Sequence, residues 1–296
     1  MLVVDAQVHI WDRDRPERPW PIGASARAHR LEPLTADELV REMGDAGVDR
    51  VILVPPSWEG DRNEIVLDAC RAHPDRFRAM GRVSPYKFDD TRALAGWRDQ
   101  AGMLGFRLTL HLPGQLEWLS DGRLSVFWKE AERSATPVMI YAPRGAEEIG
   151  RIARAHPDLR IIVDHLGLGL DVRNAAVKAE LEPVLALAPA PNIAVKISAL
   201  PCHTDDAFPF RSLRADIERA IDAFGASRCL WGSDLSRLPC PYAEWVEVFL
   251  GGHISLSSAE LEWIMGRSAI EWLGWREQPS AESVAGRARL LPSERS

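Results

Sequence analysis

The sequence has 296 residues, of which 46% are hydrophobic and 27% are charged, so it can bury the core of one or two globular domains. Its 36 Lys and Arg residues against 43 Asp and Glu residues give a formal charge of −7, which argues against nucleic acid or an anionic membrane surface as the main partner. No apolar run approaches the roughly 18 residues needed to cross a bilayer, and the first residues lack a basic region leading into an apolar stretch. The four cysteines form no C-x-x-C pair, which argues against a disulfide framework or a thiolate zinc site. We therefore expect a cytoplasmic globular protein.

Eight short runs rich in Val, Ile and Leu recur along the chain, and each is followed by a helix-like stretch. The runs are Val3–Ile10, Arg50–Pro55, Arg78–Val83, Gly105–Leu110, Val138–Ala142, Arg160–His165, Ile193–Ser198 and Cys229–Asp234. This alternation is typical of a parallel sheet, and eight strands predict an α/β fold with one closed (β/α)8 TIM barrel. No low-complexity linker divides the chain, so we predict a single barrel domain over residues 1–276 with an extra C-terminal helix. Residues 277–296 are polar and aperiodic, which predicts a mobile tail.

Local signals define the first helix and the orientation of the barrel. Thr35-Ala36-Asp37-Glu38 forms a capping box, and Gly47 supplies a C-terminal stop. The sequence Arg-Ala-His-Pro-Asp occurs twice, at 71–75 and 154–158, and each copy closes a helix before a strand. Such loops lie at the N-terminal face of a barrel, away from its active site, so we interpret their histidines as structural.

Polar residues end three of the apolar strands. His9 ends the first strand, His165 the sixth and Asp234 the eighth. Because barrel active sites lie beyond the C-terminal ends of the strands, these three side chains should converge over the barrel mouth. Each one alone could simply cap the next helix, but burial would favour apolar residues at all three positions. We therefore predict that His9, His165 and Asp234 form the catalytic site.

Other polar residues are candidates for substrate binding. Strand alternation places Asp5, Gln7 and His9 on one face, which predicts Gln7 and His9 inside the barrel. Arg107 is charged within the fourth strand, so its burial requires either a substrate carboxylate or a structural carboxylate. Further candidates lie at strand ends, in strands or in the following loops: Ser57, His111, Tyr141, Lys196, His203 and Arg237. No turn matches G-x-G-x-x-G or a Walker loop, so dinucleotide or ATP chemistry has little support.

Four segments together resemble the amidohydrolase-related family. They are Asp5-Ala6-Gln7-Val8-His9-Ile10-Trp11, Gly105-Phe106-Arg107-Leu108, Asp164-His165-Leu166-Gly167 and Trp231-Gly232-Ser233-Asp234. The similarity spans roughly residues 2–275 and is nearest to the branch that contains pyrone-dicarboxylate lactonase and sugar lactonases. The resemblance implies a (β/α)8 barrel and hydrolysis, or nonoxidative decarboxylation in sister branches.

The resemblance also bears on whether a metal is bound. The family commonly opens with His-x-His on the first strand, whereas this sequence has Gln7 in the first position, and an amide is a poor zinc ligand. His9, His165 and Asp234 then remain as three ligands for zinc or manganese, with an open position for water. The lactonase branch includes enzymes that work without metal, so the departure at Gln7 favours metal-free catalysis over a bound divalent ion.

The predicted reaction is the opening of a lactone or ester of a small carboxylated substrate. Asp234 would deprotonate the attacking water, while His9 and His165 stabilise the oxyanion. Arg107 would hold a substrate carboxylate. Two alternatives stay open: a metal-dependent nonoxidative decarboxylase of an aromatic or unsaturated acid, and a catalytically silent barrel that binds a small ligand. Assembly into a homo-oligomer is also open.

Overall fold

The computed structural model of the protein describes residues 1–30, 32–84 and 87–275. Its eight parallel strands follow chain order around one sheet: β1 (Val4–Val8), β2 (Arg50–Leu53), β3 (Phe77–Arg82), β4 (Met103–Thr109), β5 (Val138–Tyr141), β6 (Ile161–Val163), β7 (Ile193–Ile197) and β8 (Cys229–Trp231). Just beyond β8, the Asp234 amide donates to the Gln7 carbonyl at 2.8 Å, which brings the end of the last strand against the first. The predicted (β/α)8 barrel is confirmed.

Helices connect the strands and surround the sheet. They are α1 (Ala36–Ala46), α2 (Glu64–Ala72), α3 (Thr91–Ala95), α4 (Ser125–Arg133), α5 (Ala146–Ala155), α6 (Ala176–Leu185), α7 (Arg214–Phe224), α8 (Tyr242–Leu250), α9 (Ser258–Glu262) and α10 (Ser268–Leu273). The capping box at Thr35 and Glu38 begins α1, and Gly47, with φ of 72°, ends it as predicted. Within the three described ranges, no helix combines the length and the apolar character that crossing a bilayer requires.

The predicted extra C-terminal helix closes the N-terminal end of the barrel. Leu273 of α10 and the following Trp275 belong to the same buried cluster as the interior side chains of the strands. The guanidinium groups of Arg50 and Arg78 lie over the Trp275 ring, 5.3 and 5.1 Å from its centroid. This end of the barrel is therefore filled, and the opposite end carries the site. The predicted mobile tail, residues 277–296, lies outside the described residues.

Strand β1 departs from the strict alternation predicted for it. Its register with β2 shifts between Asp5 and Val8, which is a bulge. Ala6 packs in the barrel interior, and the next side chain, Gln7, is also buried among interior side chains. Asp5 instead accepts a hydrogen bond from the Tyr242 hydroxyl of the outer helix α8 at 2.6 Å. The predicted orientation of Gln7 is confirmed, whereas that of Asp5 is wrong because the bulge changes which residues face inward.

Candidate active site

The C-terminal ends of the strands surround a cavity of about 340 Å³. Eight of the residues predicted for the site line it: His9, Ser57, Arg107, His111, Tyr141, His165, Asp234 and Arg237. The long loop between β1 and α1 crosses the mouth and contributes Arg27 and His29. Polar residues from most of the strand ends therefore face one enclosed space, as the barrel geometry predicts.

Two of the predicted catalytic residues have a left-handed backbone. His165 follows β6 with φ of 53°, and Asp234 follows β8 with φ of 55°. Residues other than glycine seldom adopt this conformation, and such strain persists where the surrounding structure enforces it, often at functional sites. The left-handed backbone at these two strand ends is therefore typical of a functional site.

Asp234 lies at the centre of the predicted catalytic group. Its Oδ1 is 3.2 Å from Nε2 of His9, and its Oδ2 is 3.8 Å from Nε2 of His165. Burial opposes ionisation of this carboxyl group, but a proton on the neighbouring imidazoles, first of all on His9, outweighs burial and holds the pKa of Asp234 well below its usual range. The structure therefore brings together His9, His165 and Asp234, with an ionised carboxylate between two imidazole nitrogens.

The ring nitrogens of His9 and His165 have defined partners. Nδ1 of His9 lies 2.6 Å from the Val54 carbonyl, which can only accept, so Nδ1 carries a hydrogen. Nε2 presents a lone pair whenever the ring is neutral, and a second N–H whenever it is protonated. Nδ1 of His165 lies 2.8 Å from the Ser198 hydroxyl. Burial lowers the pKa of His165 to about 3, so this ring is neutral at pH 7.

One side of the cavity has the donor set of a metal site. His9, His29 and Asp234 each offer a ligand atom, and these atoms lie within 4.8 Å of one another. Oδ1 of Asp234 is buried and makes no hydrogen bond to any described residue, and when the His9 ring is neutral its Nε2 lone pair faces this oxygen at 3.2 Å. A shared cation would stabilise two such facing acceptor atoms, and imidazole with carboxylate suits zinc or manganese. The residues present therefore fit a divalent ion.

The cluster differs in one member from the set that the sequence predicts. His29 joins His9 and Asp234, whereas His165 approaches the other carboxylate oxygen. Burial lowers the pKa of His29 to about 3, which keeps the ring neutral and able to act as a ligand. The predicted preference for metal-free catalysis depends on the departure at Gln7 and on the metal-free members of the lactonase branch, and the donor set around Asp234 gives it no support.

We expect His29→Gln to weaken Zn²⁺ binding by about 10- to 100-fold, because it removes one imidazole ligand from the cluster. Isothermal titration of the purified protein with Zn²⁺ measures this directly and needs no substrate. His73→Gln is the control, because His73 lies at the opposite end of the barrel, after α2. Equal affinities of wild type and His29→Gln would place the ion elsewhere, and a loss in His165→Gln alone would restore the originally predicted ligand set.

Below the cavity, Arg107 has a structural anionic partner. Asp164 is fully buried and forms ion pairs with Arg107 and with Lys196, whose Nζ lies 2.7 Å from Oδ1. Both cations also donate to Oε1 of Gln7, from Arg107 Nη1 at 3.1 Å and from Lys196 Nζ at 2.8 Å. The sequence allows either a substrate carboxylate or a structural carboxylate as the partner of Arg107. The structure shows the structural one, Asp164.

Gln7 lies beneath the cavity rather than in its lining. Because its carbonyl oxygen accepts from two cations, its amide nitrogen faces His9 and lies 3.3 Å from Nε2. Gln7 therefore orients His9, and its predicted contact with substrate is replaced by an indirect role. His203 is also absent from the lining, because it is buried with Nδ1 2.7 Å from the Val172 carbonyl.

The remaining predicted contacts line the cavity in different ways. The Tyr141 hydroxyl donates to the Leu168 carbonyl at 3.0 Å, and burial raises the pKa of Tyr141 to about 12. Arg237 Nη1 lies 3.6 Å from Oδ2 of Asp234. Ser57 begins a short turn after β2 at the rim. Tyr141 is thus held rigidly, while Arg237 adds positive charge beside the central carboxylate.

Sequence reasoning missed three basic residues of the lining: Arg27, His29 and Arg82. The first two belong to the loop before α1, which has no periodicity to indicate where a side chain lies. Arg82 carried a usable signal, because it is a charged residue near the end of a predicted apolar strand, as Arg107 is. The rule applied to Arg107 would have found it.

A (β/α)8 barrel with histidines and an aspartate at its C-terminal mouth defines a class of barrel enzymes. Residues 4–275 match the family described as amidohydrolase, and the chain belongs to that family. Among characterised relatives, the L-fucono-1,5-lactonase of Burkholderia ambifaria is 24% identical over 271 residues, which cover 88% of this chain and 86% of that protein. The family resemblance carried by the four sequence segments is thereby confirmed.

Solved structures share the fold over most of the chain. An amidohydrolase from Burkholderia multivorans with bound zinc has a TM-score of 0.77 and 19% identity, covering 93% of this chain and 99% of that one. A probable 2-pyrone-4,6-dicarboxylic acid hydrolase from Acinetobacter baumannii with citric acid bound has a TM-score of 0.72 and 20% identity, covering 93% of this chain and 100% of that one. A 5-carboxyvanillate decarboxylase from Novosphingobium aromaticivorans complexed with manganese has a TM-score of 0.64 and 16% identity, covering 92% of this chain and 96% of that one. At these identities the likeness establishes the fold alone.

Proposed function

We propose that this amidohydrolase-family enzyme hydrolyses a lactone or ester of a small carboxylated substrate. The observation that carries the proposal is the buried, ionised carboxylate of Asp234, which lies between Nε2 of His9 and Nε2 of His165 in a cavity lined by arginines. An ionised carboxylate beside neutral imidazoles can accept a proton from water and return it to a leaving group. The relationship to an L-fucono-1,5-lactonase supports the reaction class.

The proton path follows from the contacts of the three side chains. Asp234 accepts a proton from the water whose oxygen forms the new bond to the carbonyl carbon. When the Ser198 hydroxyl donates to Nδ1 of His165, the ring hydrogen lies on Nε2, on the side of Asp234, where it can donate to the developing oxyanion. The carbon–oxygen bond to the alkoxide then breaks, and the alkoxide takes the proton from Asp234. The products are a carboxylic acid and an alcohol, joined in one molecule when the substrate is a lactone.

His9, His29 and Asp234 are the residues that would hold a divalent ion, and zinc or manganese there would make water more acidic and polarise the carbonyl group. The protein prepares this cluster with its own contacts. Gln7 and the Val54 carbonyl fix the His9 ring, and the Ser236 hydroxyl lies 2.8 Å from Nδ1 of His29. Such supporting contacts orient ligands and exclude the wrong ring tautomer.

Lactones with and without a carboxylate test the proposed reaction. With a pH indicator, we expect acid release from carboxylated lactones, and we expect a kcat/KM about tenfold or more above that of the matching uncharged methyl esters, because the lining is rich in arginines. Spontaneous ring opening in the same buffer is the blank. Failure to open any lactone, in apoprotein and in protein loaded with zinc or manganese, would refute the proposal.

A metal-dependent nonoxidative decarboxylase is the second candidate. The observation in its favour is that the His9, His29 and Asp234 cluster and the arginines share one cavity, where a carboxylate could lie beside a cation. Carbon dioxide release from aromatic carboxylates, measured on manganese-loaded protein that leaves lactones intact, would select it over hydrolysis.

A further inference from the structure

We propose that Arg27, Arg82 and His111 form a binding site for a carboxylate or phosphate group of the substrate, across the cavity from Asp234. This inference rests on the proposed function, because it specifies the substrate of the same cavity. Arg82 ends β3, which lies three strands around the eight-stranded ring from β8, the strand that leads into Asp234. A substrate that spans the cavity would present its carbonyl to Asp234 and its anionic group to the arginines.

Two arginines are held side by side on neighbouring strands. Arg82 of β3 and Arg107 of β4 are partners in the register of the two strands. Both donate to the same hydroxyl oxygen, Oγ1 of Thr109, at 2.8 Å from Arg82 Nη1 and 3.2 Å from Arg107 Nε. Like charges this close destabilise each other unless anions balance both of them. Asp164 balances Arg107, so the question is what balances Arg82.

Arg82 has only weak compensation among the described residues. Its Nε donates to the Gly60 carbonyl at 3.0 Å, and its nearest carboxylate is Asp61, 3.5 Å from Nη2 with 30% of its side chain exposed. Burial, reinforced by the neighbouring Arg107, lowers the pKa of Arg82 to about 10, so the group is still charged at pH 7. A largely buried cation whose nearest carboxylate is partly exposed and 3.5 Å away can bind a further anion supplied from outside.

Arg27 and His111 add donors to the same side. The Nε of Arg27 and the Nδ1 of His111 are buried and form no hydrogen bond with any residue in the described part of the chain. Burial, followed by the charge of Arg82, lowers the pKa of His111 to about 4, so the ring is neutral and has one N–H to donate. An oxyanion is the group that two guanidinium ions and an imidazole N–H would bind together.

The charge balance of the lining also favours an anion-binding site. Four arginines line the cavity, whereas Asp234 is its only lining carboxylate among the described residues. Asp234 is next to Arg237, and Arg107 is paired below the cavity with Asp164. Among the four, Arg27 has no carboxylate partner in the described part of the chain, and Arg82 has only the partly exposed Asp61 at 3.5 Å, outside the lining. An incoming anion would therefore be drawn to their side of the cavity and repelled by Asp234 on the other.

Binding of citrate and of inorganic phosphate, measured by isothermal titration, tests the site without any need for turnover. We expect at least one of the two anions to bind and glycerol, the uncharged control, not to bind. Arg82→Gln and Arg27→Gln should each lower the affinity for that anion by about tenfold or more. Arg71→Gln is the matched control, because it removes the same charge from an exposed side chain at the far end of the barrel. The anion that binds more tightly identifies the group as carboxylate or phosphate.

Unchanged anion affinity in both Arg82→Gln and Arg27→Gln would overturn the site, as would an equal loss in Arg71→Gln. Melting temperatures are measured alongside, and if Arg82→Gln fails to fold, the anion affinity of the partly exposed loop variant Arg27→Gln decides. Arginine-dependent anion binding in a protein that opens no lactone would refute the proposed hydrolysis and keep the site. Lactone hydrolysis that neither needs a carboxylate nor responds to Arg82→Gln would keep the hydrolysis and refute the site.

Discussion

Asp234→Asn is expected to lower kcat/KM for lactone hydrolysis by about 10²- to 10⁴-fold, because it removes the proton acceptor at the centre of the site. The amide keeps the size of the carboxylate but cannot accept a proton from water at neutral pH. Asparagine also tolerates the left-handed backbone that Asp234 adopts, so the strand end should keep its conformation. Initial rates with a carboxylated lactone and a circular dichroism melting curve measure both expectations.

Asp158→Asn is the matched control, because Asp158 is an exposed carboxylate in a loop at the opposite end of the barrel. It makes the same change of charge and should leave kcat/KM unchanged. If Asp234→Asn kept more than a tenth of the wild-type value, the proton acceptor would have to be another group, and His165 would be the first to examine. The two variants therefore separate general-base catalysis from a general effect of charge on the barrel.

The sequence predicts the barrel and the centre of the site because both depend on local patterns. A parallel barrel repeats apolar strands at short intervals, and a polar residue that ends such a strand must face the mouth. This pattern predicts His9, His165 and Asp234, and the structure places both histidines beside the Asp234 carboxylate. Long-range geometry was unnecessary for this step, since the ring of strands brings their ends together.

Features set by tertiary contacts were not accessible in the same way. The bulge in β1 turns Asp5 toward Tyr242, although alternation alone places it inside. His29 joins the cluster only because an aperiodic loop crosses the mouth, and no local pattern records that path. The partner of Arg107 was undecidable from sequence, because a buried arginine requires an anion but does not specify which one.

The buried ion network leads to the prediction with the largest expected effect on stability. We expect Asp164→Asn to reduce the free energy of unfolding by about 3–5 kcal/mol, because Arg107 and Lys196 would then be buried without their shared carboxylate. Lys196→Met should have a smaller effect, since Arg107 and Asp164 still pair and methionine fills a similar volume. Urea unfolding curves, followed by tryptophan fluorescence, measure these differences.

The pH dependence of the Asp164→Asn variant distinguishes lost ion pairing from lost packing. In the wild-type fold, burial already lowers the pKa of Lys196 to about 8, below its value in the unfolded chain, and losing Asp164 should lower it further. The unfolded state then binds more protons than the folded state between that lowered pKa and about 10.5, so stability rises with pH across this window. The penalty of Asp164→Asn should therefore be larger at pH 6 than at pH 9, where Lys196 can be buried neutral. If Asp164→Asn lowered the free energy of unfolding equally at both pH values, packing around Asp164, rather than its charge, would stabilise the region below the cavity.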